Sequence, residues 1–498
     1  MEDYFMISKE RRFYVDIMAV HPEVTGSCNL VIVKQPDNST VKFVVDCGLF
    51  QERQYSKNNE VLPFNPANID FCLVTHNHVD HTGRLPFLVN KGYDKEIYMS
   101  KTTAKLLPLA LEDSYRVLKD VAKRQNHPSL YNEGDVTQTI KLVHGCDYEE
   151  TIQIRPNIKA TFFRNGHLMG ATSILVQIAS DGYENINLFF TGDYNNKNMF
   201  FDVPELPKWV VELPLTVIQE STYGNMESSE ITKCFAENVL KSINKGGTVV
   251  APVFSLGRAQ EILYEIKCMQ ENCQLSVKVP IFLDGKLTIR YTNMYIKDGL
   301  DIKEEMWNFL PENLTFVDRT SRAEILESEE AKIILTSSGM GSYGPAQVYI
   351  PEYLTRENAL IHFTGYTAEG TLGARLKEAE VGTPVQIGGT LVKKRAQVEY
   401  TTEYSAHAKA DEMIDFLKKF KHLELVLVNH GEADTKQIFA ERIINEVDTD
   451  RVGILGCGYF FRVNHDGLVK SMSTNSIINF FLVSSSKFLN FCKVCLFN

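Results

Sequence analysis

The feature that most constrains this chain is the run THNHVDH at residues 75–81, which directly follows the apolar segment FCLV. Its three imidazoles and one carboxylate cannot all be buried without partners, because removing that many polar groups from water costs too much free energy. Zn(II) accepts this mixture of histidine nitrogens and aspartate oxygen at about 2.0 to 2.2 Å. The run therefore predicts a metal site at the end of a strand.

Other candidate ligands also follow apolar runs. His167 lies between two glycines in GHLMG, Asp193 follows INLFFTG, and His430 follows LELVLVN. Each one alone is more typical of a hydrogen-bonded turn residue, but together with the first run they suit two metal ions that share a carboxylate. The predicted ligands are His76, His78, Asp80, His81, His167, Asp193 and His430.

Composition narrows the class of protein. The chain has 498 residues, of which 44% are hydrophobic and 23% charged, so it is neither disordered nor fibrous and should form two or three domains. Its net charge of -11 argues against binding nucleic acid through bulk positive charge. A polyanionic substrate would have to be bound locally.

Cysteine usage and the chain start bear on localisation. Ten cysteines are scattered along the chain, as in a reduced cytosolic protein, and the lone CxxC at 492–495 lacks a second ligand pair. The first twenty residues lack the apolar region of a secretory signal, and no stretch approaches the ~20 apolar residues of a membrane helix. We therefore expect a cytoplasmic protein without membrane contact.

Apolar periodicity predicts two interleaved modules. Short apolar runs with Gly, Asn and Asp turns predict strands in the first two hundred residues, and residues 102–124 have helical spacing. From about residue 225 to 389, strands and helices alternate as in a parallel-sheet module. The sequence pattern after residue 390 resembles that of the first two hundred residues. The second module is therefore predicted to be inserted in the first.

The order of these motifs resembles a known family. The HxHxDH string at 76–81, with the later Gly-His, Gly-Asp and His, is similar to the metallo-β-lactamase superfamily. Segments 220–224 (ESTYG), 405–408 (SAHA) and 430–432 (HGE) resemble motifs A, B and C of its β-CASP branch, nucleases of RNA and DNA. Further matches are DCG at 46–48, FSLGRAQ at 254–260 and GYTAEGTLG at 365–373.

The resemblance implies an α/β fold, a metallo-β-lactamase αββα sandwich interrupted by an inserted α/β β-CASP domain. The expected parts are the first part of the sandwich domain at 1–224, the β-CASP cap at 225–389, the second part of the sandwich domain at 390–470 and an apolar extension at 471–498. The extension has three open interpretations: a late-packing strand and helix, an oligomer contact, or a segment without a role.

The resemblance also implies a site. One zinc would be held by His76, His78 and His167, a second by Asp80, His81 and His430, with Asp193 bridging. A water activated by the two Zn(II) ions would attack phosphorus. Asp80, His407 and Glu220 are the expected catalytic residues, with His407 protonating the leaving oxygen and Glu220 orienting it. Asp46 is expected to fix a histidine tautomer.

The resemblance implies a narrow groove for single-stranded RNA under the cap. The candidate contacts to phosphate are Arg258, Lys393, Lys394, Ser338 and Gly339. Ser405 either touches the scissile phosphate or caps the helix that starts near Ala408. The glycine-rich loop departs from the family pattern, because YGP at 343–345 has one glycine before the proline where the family usually has two.

The predicted function is zinc-dependent hydrolysis of single-stranded RNA, endonucleolytic by first choice because the chain lacks the extra C-terminal domain of the exonucleolytic ribonuclease J group. In the family, His at motif C marks RNA-directed members, and His430 occupies that position. The alternatives are a 5'-to-3' exoribonuclease, a catalytically inactive scaffold subunit, and a hydrolase of small esters; retention of all ligands disfavours the scaffold, and motifs A to C disfavour the ester hydrolase. A homodimer or an RNA-processing complex would be its assembly.

Overall fold

The structure, a computed structural model, describes residues 13–21, 23–51, 58–231, 233–297, 302–365, 367, 370–449, 451–464 and 470–473. The predicted extension at 471–498 lies outside the described residues except for its first three positions, which belong to a strand. None of the helices in the described ranges is long and apolar enough to cross a membrane. The eight cysteines within those ranges are free thiols.

Up to residue 224, the described residues form eleven strands and five α-helices. The strands are β1 (Tyr14–His21), β2 (Cys28–Lys34), β3 (Thr40–Val45), β4 (Phe71–Leu73), β5 (Ile97–Ser100), β6 (Val143–Cys146), β7 (Thr151–Arg155), β8 (Ile158–Arg164), β9 (Thr172–Ile178), β10 (Ile186–Phe190) and β11 (Pro214–Glu220). The helices are α1 (Val79–Thr82), α2 (Leu85–Asn90), α3 (Lys101–Gln125), α4 (Glu133–Lys141) and α5 (Lys208–Val211).

The inserted module and the return segment follow. The inserted module contains α6 (Phe235–Asn244), β12 (Thr248–Pro252), α7 (Arg258–Glu271), β13 (Ile281–Asp284), α8 (Lys286–Lys297), β14 (Leu314–Phe316), α9 (Arg322–Glu327), β15 (Lys332–Thr336), α10 (Ala346–Leu354), β16 (Leu360–Phe363), α11 (Leu372–Glu378), β17 (Pro384–Ile387), β18 (Thr390–Lys393) and β19 (Gln397–Tyr400). The return segment contains α12 (Ala410–Leu417), β20 (His422–Asn429), α13 (Ala433–Glu446), β21 (Val452–Ile454), β22 (Tyr459–Asn464) and β23 (Lys470–Ser473).

Two sheets form the sandwich. One has the strand order β23-β22-β1-β2-β3-β4-β5-β6, and the other β21-β20-β11-β10-β9-β8-β7. Alternating side chains from both sheets, such as Val31 and Val176, fill the core between them. Helices α2 to α4 cover the outer face of the first sheet, and α12 and α13 cover that of the second. These four layers confirm the predicted αββα sandwich.

The cap is an α/β module around a six-stranded sheet, in the order β14-β13-β15-β12-β16-β19. The pairs in this sheet are parallel, so the loops that follow several strands meet at one edge. Helices α6, α7 and α8 cover one face, and α10 and α11 cover the other. The predicted insertion is therefore confirmed as part of the fold.

The predicted boundary between the cap and the returning sandwich, at 389/390, stays a prediction, and the two strands that follow it pair with strands of the cap. Strand β19 pairs in parallel with β16, from Leu360 with Gln397 to Phe363 with Tyr400, and so belongs to the cap sheet. Strand β18 pairs with β17 in a hairpin of the cap. The chain returns to the sandwich only after Tyr400.

Candidate metal centre

The HxHxDH run occupies the end of the loop after β4 and continues into α1, so that Asp80 and His81 lie in the helix. Thr75 anchors its start, since its backbone N–H and hydroxyl both donate to Asp46, each at 2.8 Å. The later part is held by backbone bonds from Ser27 to the Asp80 carbonyl (2.8 Å) and from Cys47 to the His81 carbonyl (2.8 Å). The loop therefore turns its histidines toward the ends of β8 to β11.

Four of the predicted ligands form one group with their ligand atoms within 4.8 Å of one another: His76, His78, His167 and Asp193. His78 Nδ1 lies 3.2 Å from His76 Nε2 and 3.1 Å from His167 Nε2. Asp193 Oδ2 is 3.8 Å from His76 Nε2 and 3.9 Å from His167 Nε2. Three imidazoles and one carboxylate thus converge on one point.

The other three predicted ligands, Asp80, His81 and His430, form a second group. His81 Nε2 lies 3.9 Å from Asp80 Oδ2 and 3.3 Å from Asp193 Oδ2. The second oxygen of Asp193, Oδ1, lies 3.1 Å from His430 Nε2. The Asp193 carboxylate therefore lies between the two groups, with one or both oxygens near each.

The donor atoms of both groups fit metal ions. Two ligands that bind one tetrahedral zinc at about 2.0 to 2.1 Å lie roughly 3.3 Å apart, and the contacts given above, from 3.1 to 3.9 Å, bracket that distance. His81 Nε2 and Asp193 Oδ1 are also buried, and beyond the contacts given above within the two groups they have no hydrogen-bond partner among the described residues. Buried polar atoms that face only one another in this way suit a bound cation.

Burial keeps three of the imidazoles in the form that a metal requires. It lowers the pKa of His76 and His167 well below the usual histidine value and that of His78 to about 4. Burial also opposes charge on His81, but Asp193 and Asp46 raise the pKa of His81 well above its usual value. The same burial disfavours charge on Asp193, yet His430 and His81 hold its pKa well below the usual range.

Hydrogen bonds outside the cluster orient the ligands. Asp46 Oδ2 accepts from His81 Nδ1 at 2.8 Å, and His167 Nδ1 donates to the Ala406 carbonyl at 3.0 Å. His76 Nδ1 is 3.0 Å from the Thr75 hydroxyl. Such partners fix which ring nitrogen faces the metal.

Beside the cluster, His407 and Glu220 form a pair. His407 Nδ1 lies 2.8 Å from Glu220 Oε2, and the His407 ring is 4.7 Å from that of His167. Glu220 is buried, and its other oxygen accepts from the backbone N–H of Tyr194 at 2.7 Å. Burial disfavours the charged imidazole, but the Glu220 carboxylate raises the pKa of His407 above its usual value. The pair can hold a proton next to the metal centre.

Two positioning residues escaped the sequence analysis. Asn165 accepts from the His167 backbone (3.3 Å) and donates to the Asp193 carbonyl (3.1 Å), so one amide ties two predicted ligands together. The buried Lys409 places its ammonium 3.5 Å from the centre of the Tyr223 ring, and burial lowers the pKa of Lys409 to about 8. Asn165 directly precedes the GH motif and Lys409 lies just after the SAHA motif, and this proximity was the available signal. Neither side chain was considered because amides and ammonium groups were not expected as metal ligands.

Two of the predicted RNA contacts, Arg258 and Lys394, are buried and have protein partners. Lys394 is buried, and its ammonium donates to the carbonyls of Leu376 (3.0 Å) and Ala379 (2.6 Å), at the end of α11. Arg258 is also buried: it donates to the Thr364 carbonyl and lies 3.2 Å from Glu261. Both cations are bound by protein groups, so neither presents a free charge to RNA.

Of the other predicted RNA contacts, Lys393 is open to solvent, whereas Ser405 and Ser338 form hydrogen bonds within their own loops. Lys393 is exposed on the β17–β18 hairpin. The Ser405 hydroxyl accepts from the backbone N–H of His407 at 3.2 Å, and α12 begins only at Ala410, so the helix-capping interpretation of Ser405 is wrong. The Ser338 hydroxyl accepts from the Tyr343 backbone at 3.3 Å.

The cap presents the carboxyl ends of its parallel strands to the metal centre. Gly257, after β12, approaches Leu168, the neighbour of His167, and a Cβ at Gly257 would lie 3.8 Å from that of Leu168. Gly339, after β15, packs on Phe254 so closely that a Cβ there would lie 2.9 Å from the Phe254 backbone nitrogen. Open parallel sheets bind ligands at this edge. The space between cap and cluster is therefore the candidate substrate groove.

Three family models match the chain. Residues 24–158 match the metallo-beta-lactamase superfamily, residues 259–376 the Beta-Casp domain, and residues 391–452 the Zn-dependent metallo-hydrolase RNA specificity domain. Their order reproduces the interrupted sandwich described above. Metal dependence is a property of this superfamily, and the two ligand groups are consistent with it.

Similar proteins span most of the chain. Transcription termination factor FttA of Methanosarcina mazei is 31% identical over 85% of this chain and 68% of the relative. Ribonuclease TTHA0252 of Thermus thermophilus is 29% identical over 83% of this chain and 91% of the relative. Cleavage and polyadenylation specificity factor subunit 3-II of Arabidopsis thaliana is 27% identical over 87% and 70%, respectively. The chain thus belongs to the β-CASP branch of the metallo-β-lactamase superfamily, whose ribonucleases support RNA hydrolysis at the level of the family.

Proposed function

We propose that this protein hydrolyses phosphodiester bonds of single-stranded RNA, by endonucleolytic cleavage at a site with two Zn(II) ions. The observation that carries the proposal is the His407–Glu220 pair, held at 2.8 Å next to seven clustered metal-ligand candidates. A metal cluster alone suits many hydrolases. A buried carboxylate–histidine pair beside it supplies the proton that a poor leaving group such as a ribose oxygen needs.

The proposed ligands divide as the two groups do. His76, His78 and His167 would hold one zinc, and Asp80, His81 and His430 the other, with Asp193 shared between them. When bound, two such ions supply an activated water at neutral pH and neutralise charge on the phosphoryl transition state. Cleavage would leave a 3'-hydroxyl and a 5'-phosphate.

In this proposal, the protein itself donates a proton to the leaving oxygen, and His407 is the donor. Because Glu220 binds Nδ1, the Nε2 nitrogen of His407 is the one left to donate. The carbonyl of Ala406 accepts from His167, so the loop that carries His407 is tied to a proposed ligand. The distance between proton donor and metal centre is thereby fixed before RNA binds.

We propose single-stranded RNA as the substrate, bound in the candidate groove between the cap edge and the cluster. Ribonuclease TTHA0252 and the plant specificity-factor subunit, both similar over more than four fifths of this chain, support RNA as the class of nucleic acid. Ser405, Ser338, Gly339 and the exposed Lys393 are the proposed contacts to phosphate.

End-labelled RNA tests the proposed function. The purified protein with Zn(II) is incubated with a single-stranded RNA labelled at either end, in 5'-phosphate and 5'-triphosphate forms. Internal fragments from both forms support endonucleolytic cleavage. Mononucleotides from the 5'-phosphate form alone support the second candidate, a 5'-to-3' exoribonuclease, which the similarity to an RNase J-like protein of Methanocaldococcus jannaschii also favours. No cleavage of either form contradicts both.

The role of His407 has its own test. In an RNA with one 3'-bridging sulfur, the leaving thiolate needs no proton, so His407→Ala should slow normal RNA by about 10²- to 10⁴-fold and the sulfur-containing RNA far less. Asp193→Ala serves as the matched control, because loss of a shared metal ligand should abolish cleavage of both. Equal losses on both substrates for His407→Ala would contradict a proton-donor role.

Assembly and location belong to the same proposal. The plant relative is named as a factor subunit, which supports membership of an RNA-processing complex, with a homodimer as the alternative. A cytoplasmic place for the protein fits its free thiols. Light scattering of the purified protein separates a dimer from a monomer that awaits partners.

A further inference from the structure

The middle of the HxHxDH loop lacks backbone support. Thr75 is held because its carbonyl accepts from Thr172 (2.9 Å), and His78 because its carbonyl accepts from Thr82 (2.9 Å). Between them, neither His76 nor Asn77 makes a backbone hydrogen bond to any described residue. Two proposed ligands, His76 and His78, therefore flank a point that only side chains can fix.

The Asn77 side chain supplies a fixed point, and its partner is in the cap. Asn77 Nδ2 donates to the hydroxyl of Tyr291 on α8 at 3.0 Å. Both residues are buried, with 3% and 2% of their surface exposed, so water does not compete for this bond. The Asn77 Oδ1 atom has no partner among the described residues. Within those residues, the bond to Tyr291 is therefore the one hydrogen bond of the Asn77 side chain.

Helix α8 is itself seated firmly on the sandwich domain. Arg290, the neighbour of Tyr291, forms an ion pair with Glu112 of α3 at 2.9 Å. The Tyr291 ring also belongs to an apolar core that includes Leu106 of α3 and Leu168, which follows the proposed ligand His167. The hydroxyl that holds Asn77 is therefore positioned by contacts that span both domains.

We propose that Tyr291 is a positioning residue, which through Asn77 holds the His76–His78 segment in its metal-binding conformation and so couples metal affinity to the seating of the cap. The proposal rests on the metal site of the proposed function. Without the hydroxyl, the segment must be ordered when the metal binds, and that ordering opposes binding.

The test is Zn(II) affinity, measured without RNA. Zinc is removed from the full-length protein, and Zn(II) is titrated in competition with a chromophoric chelator. Tyr291→Phe removes only the hydroxyl and should weaken Zn(II) binding about fivefold, as expected for one lost hydrogen bond behind the ligands. Asn77→Ala should weaken it at least as much, and the double variant should lose no more than Asn77→Ala alone.

The matched control is Tyr295→Phe, one turn along the same helix, where the ring packs on Phe200 and Phe309 in the same core. It should bind Zn(II) as the unmodified protein does. Thermal unfolding of the zinc-free variants separates positioning from general destabilisation: the proposal requires weaker Zn(II) binding without a matching loss of zinc-free stability. If Tyr291→Phe does not fold, Asn77→Ala alone carries the test.

Two results would overturn the inference: equal Zn(II) affinity for Tyr291→Phe and Tyr295→Phe, or additive losses in the double variant. Failure of the proposed function has a different signature. If Tyr291→Phe binds Zn(II) more weakly than the unmodified protein but the unmodified protein cleaves no RNA, the function is wrong and the coupling stands. If cleavage occurs and the Tyr291→Phe affinity is unchanged, the coupling is wrong and the function stands.

Discussion

At the scale of single residues, one carboxylate organises much of the metal centre. Asp46 accepts three hydrogen bonds, two from Thr75 and one from His81. It can do so because Gly48 lets the segment after β3 pack directly against the HxHxDH run. A Cβ at Gly48 would lie 1.4 Å from the Asp80 carbonyl oxygen. The DCG motif therefore combines a ligand-orienting group with the space that the loop needs.

Replacing Asp46 with Ala should weaken Zn(II) binding by about 10- to 100-fold, because His81 loses the acceptor that fixes its tautomer and Thr75 loses its anchor. Competition with a chromophoric chelator measures the change. Asp70→Ala is a matched control, since Asp70 accepts from the Lys42 backbone (2.7 Å) at the opposite end of β3. Similar Zn(II) affinities for the two variants would show that Asp46 does not orient the ligands.

The role of a residue could be predicted where several candidate ligands occur together in the sequence, and not where a charged residue stands without such neighbours. Seven candidate ligands after apolar runs could be identified because few other structures tolerate them together. Lys394 looked like a free cation in KKR, yet the end of α11 supplies two carbonyls that bind it. Only the folded path brings Lys394 to that helix end, so no local pattern could indicate it.

At the scale of elements, hydrophobic periodicity located the helices and strands, but strand partners depend on contacts distant in sequence. Residues 102–124 show helical spacing and lie within α3. The pairing of β19 with β16 could not be foreseen, because the sequence QVEY suits any sheet and a hairpin and α11 lie between the two strands. Similarly, Asn77 and Tyr291 are 214 positions apart, so their bond could not be foreseen.

The burial of His362 between β16 and α6 leads to a prediction about stability at low pH. His362 of β16 is fully buried beneath α6, with Asn238 at 3.4 Å and the Phe235 ring at 5.1 Å. Burial lowers the pKa of His362 to about 4, although the Phe363 carbonyl and Glu399 oppose that change. The folded state therefore excludes a proton that the unfolded chain binds below about 6.5.

The sign follows from linkage. The stability associated with neutral His362 is complete above pH ~6.5 and is lost as the pH falls toward 4, by about 3 kcal/mol. His362→Gln should remove that part of the acid loss, so its free energy of unfolding should change less between pH 7 and pH 4 than that of the unmodified protein. Denaturant unfolding at both pH values measures this. His422→Gln, at an exposed position on β20, should keep the original pH dependence.

At the scale of the whole molecule, charge and architecture constrain how RNA can bind. The net charge of -11 opposes RNA, and two of the predicted cations, Arg258 and Lys394, are bound by protein groups. Few phosphates can then be neutralised by side chains. The groove between cap and cluster, together with the proposed metals, would provide most of the local attraction.

A weak salt dependence follows from this charge distribution. With no more than about three side-chain contacts to phosphate, the logarithm of RNA affinity should fall with the logarithm of salt concentration with a slope of about -2 or shallower. Binding of RNA to the slow His407→Ala variant, which keeps all seven proposed metal ligands, is measured by anisotropy from about 50 to 200 mM salt and tests this. A slope of about -5 would contradict this prediction, because it requires about seven phosphate contacts.

The two domains should unfold together. Leu168, Phe200 and Phe201 of the sandwich pack in the same apolar core as Leu263 and Ile266 of the cap, so neither domain can unfold without exposing the other. The chain has two tryptophans, which report separately: Trp209 in α5 packs on Phe163 of the sandwich, and Trp307 lies in the cap.

Each tryptophan can therefore be followed alone, in Trp307→Phe and Trp209→Phe variants. We expect coincident denaturation curves from the two. Adding Ile266→Ala, which opens a cavity in the shared core, should lower the free energy of unfolding by about 2 to 5 kcal/mol in both reporters equally, although the substitution lies in the cap. A shift seen by Trp307 alone would mean that the cap unfolds independently. In that case, the contacts through Leu168 could not transmit the seating of the cap to the metal ligands.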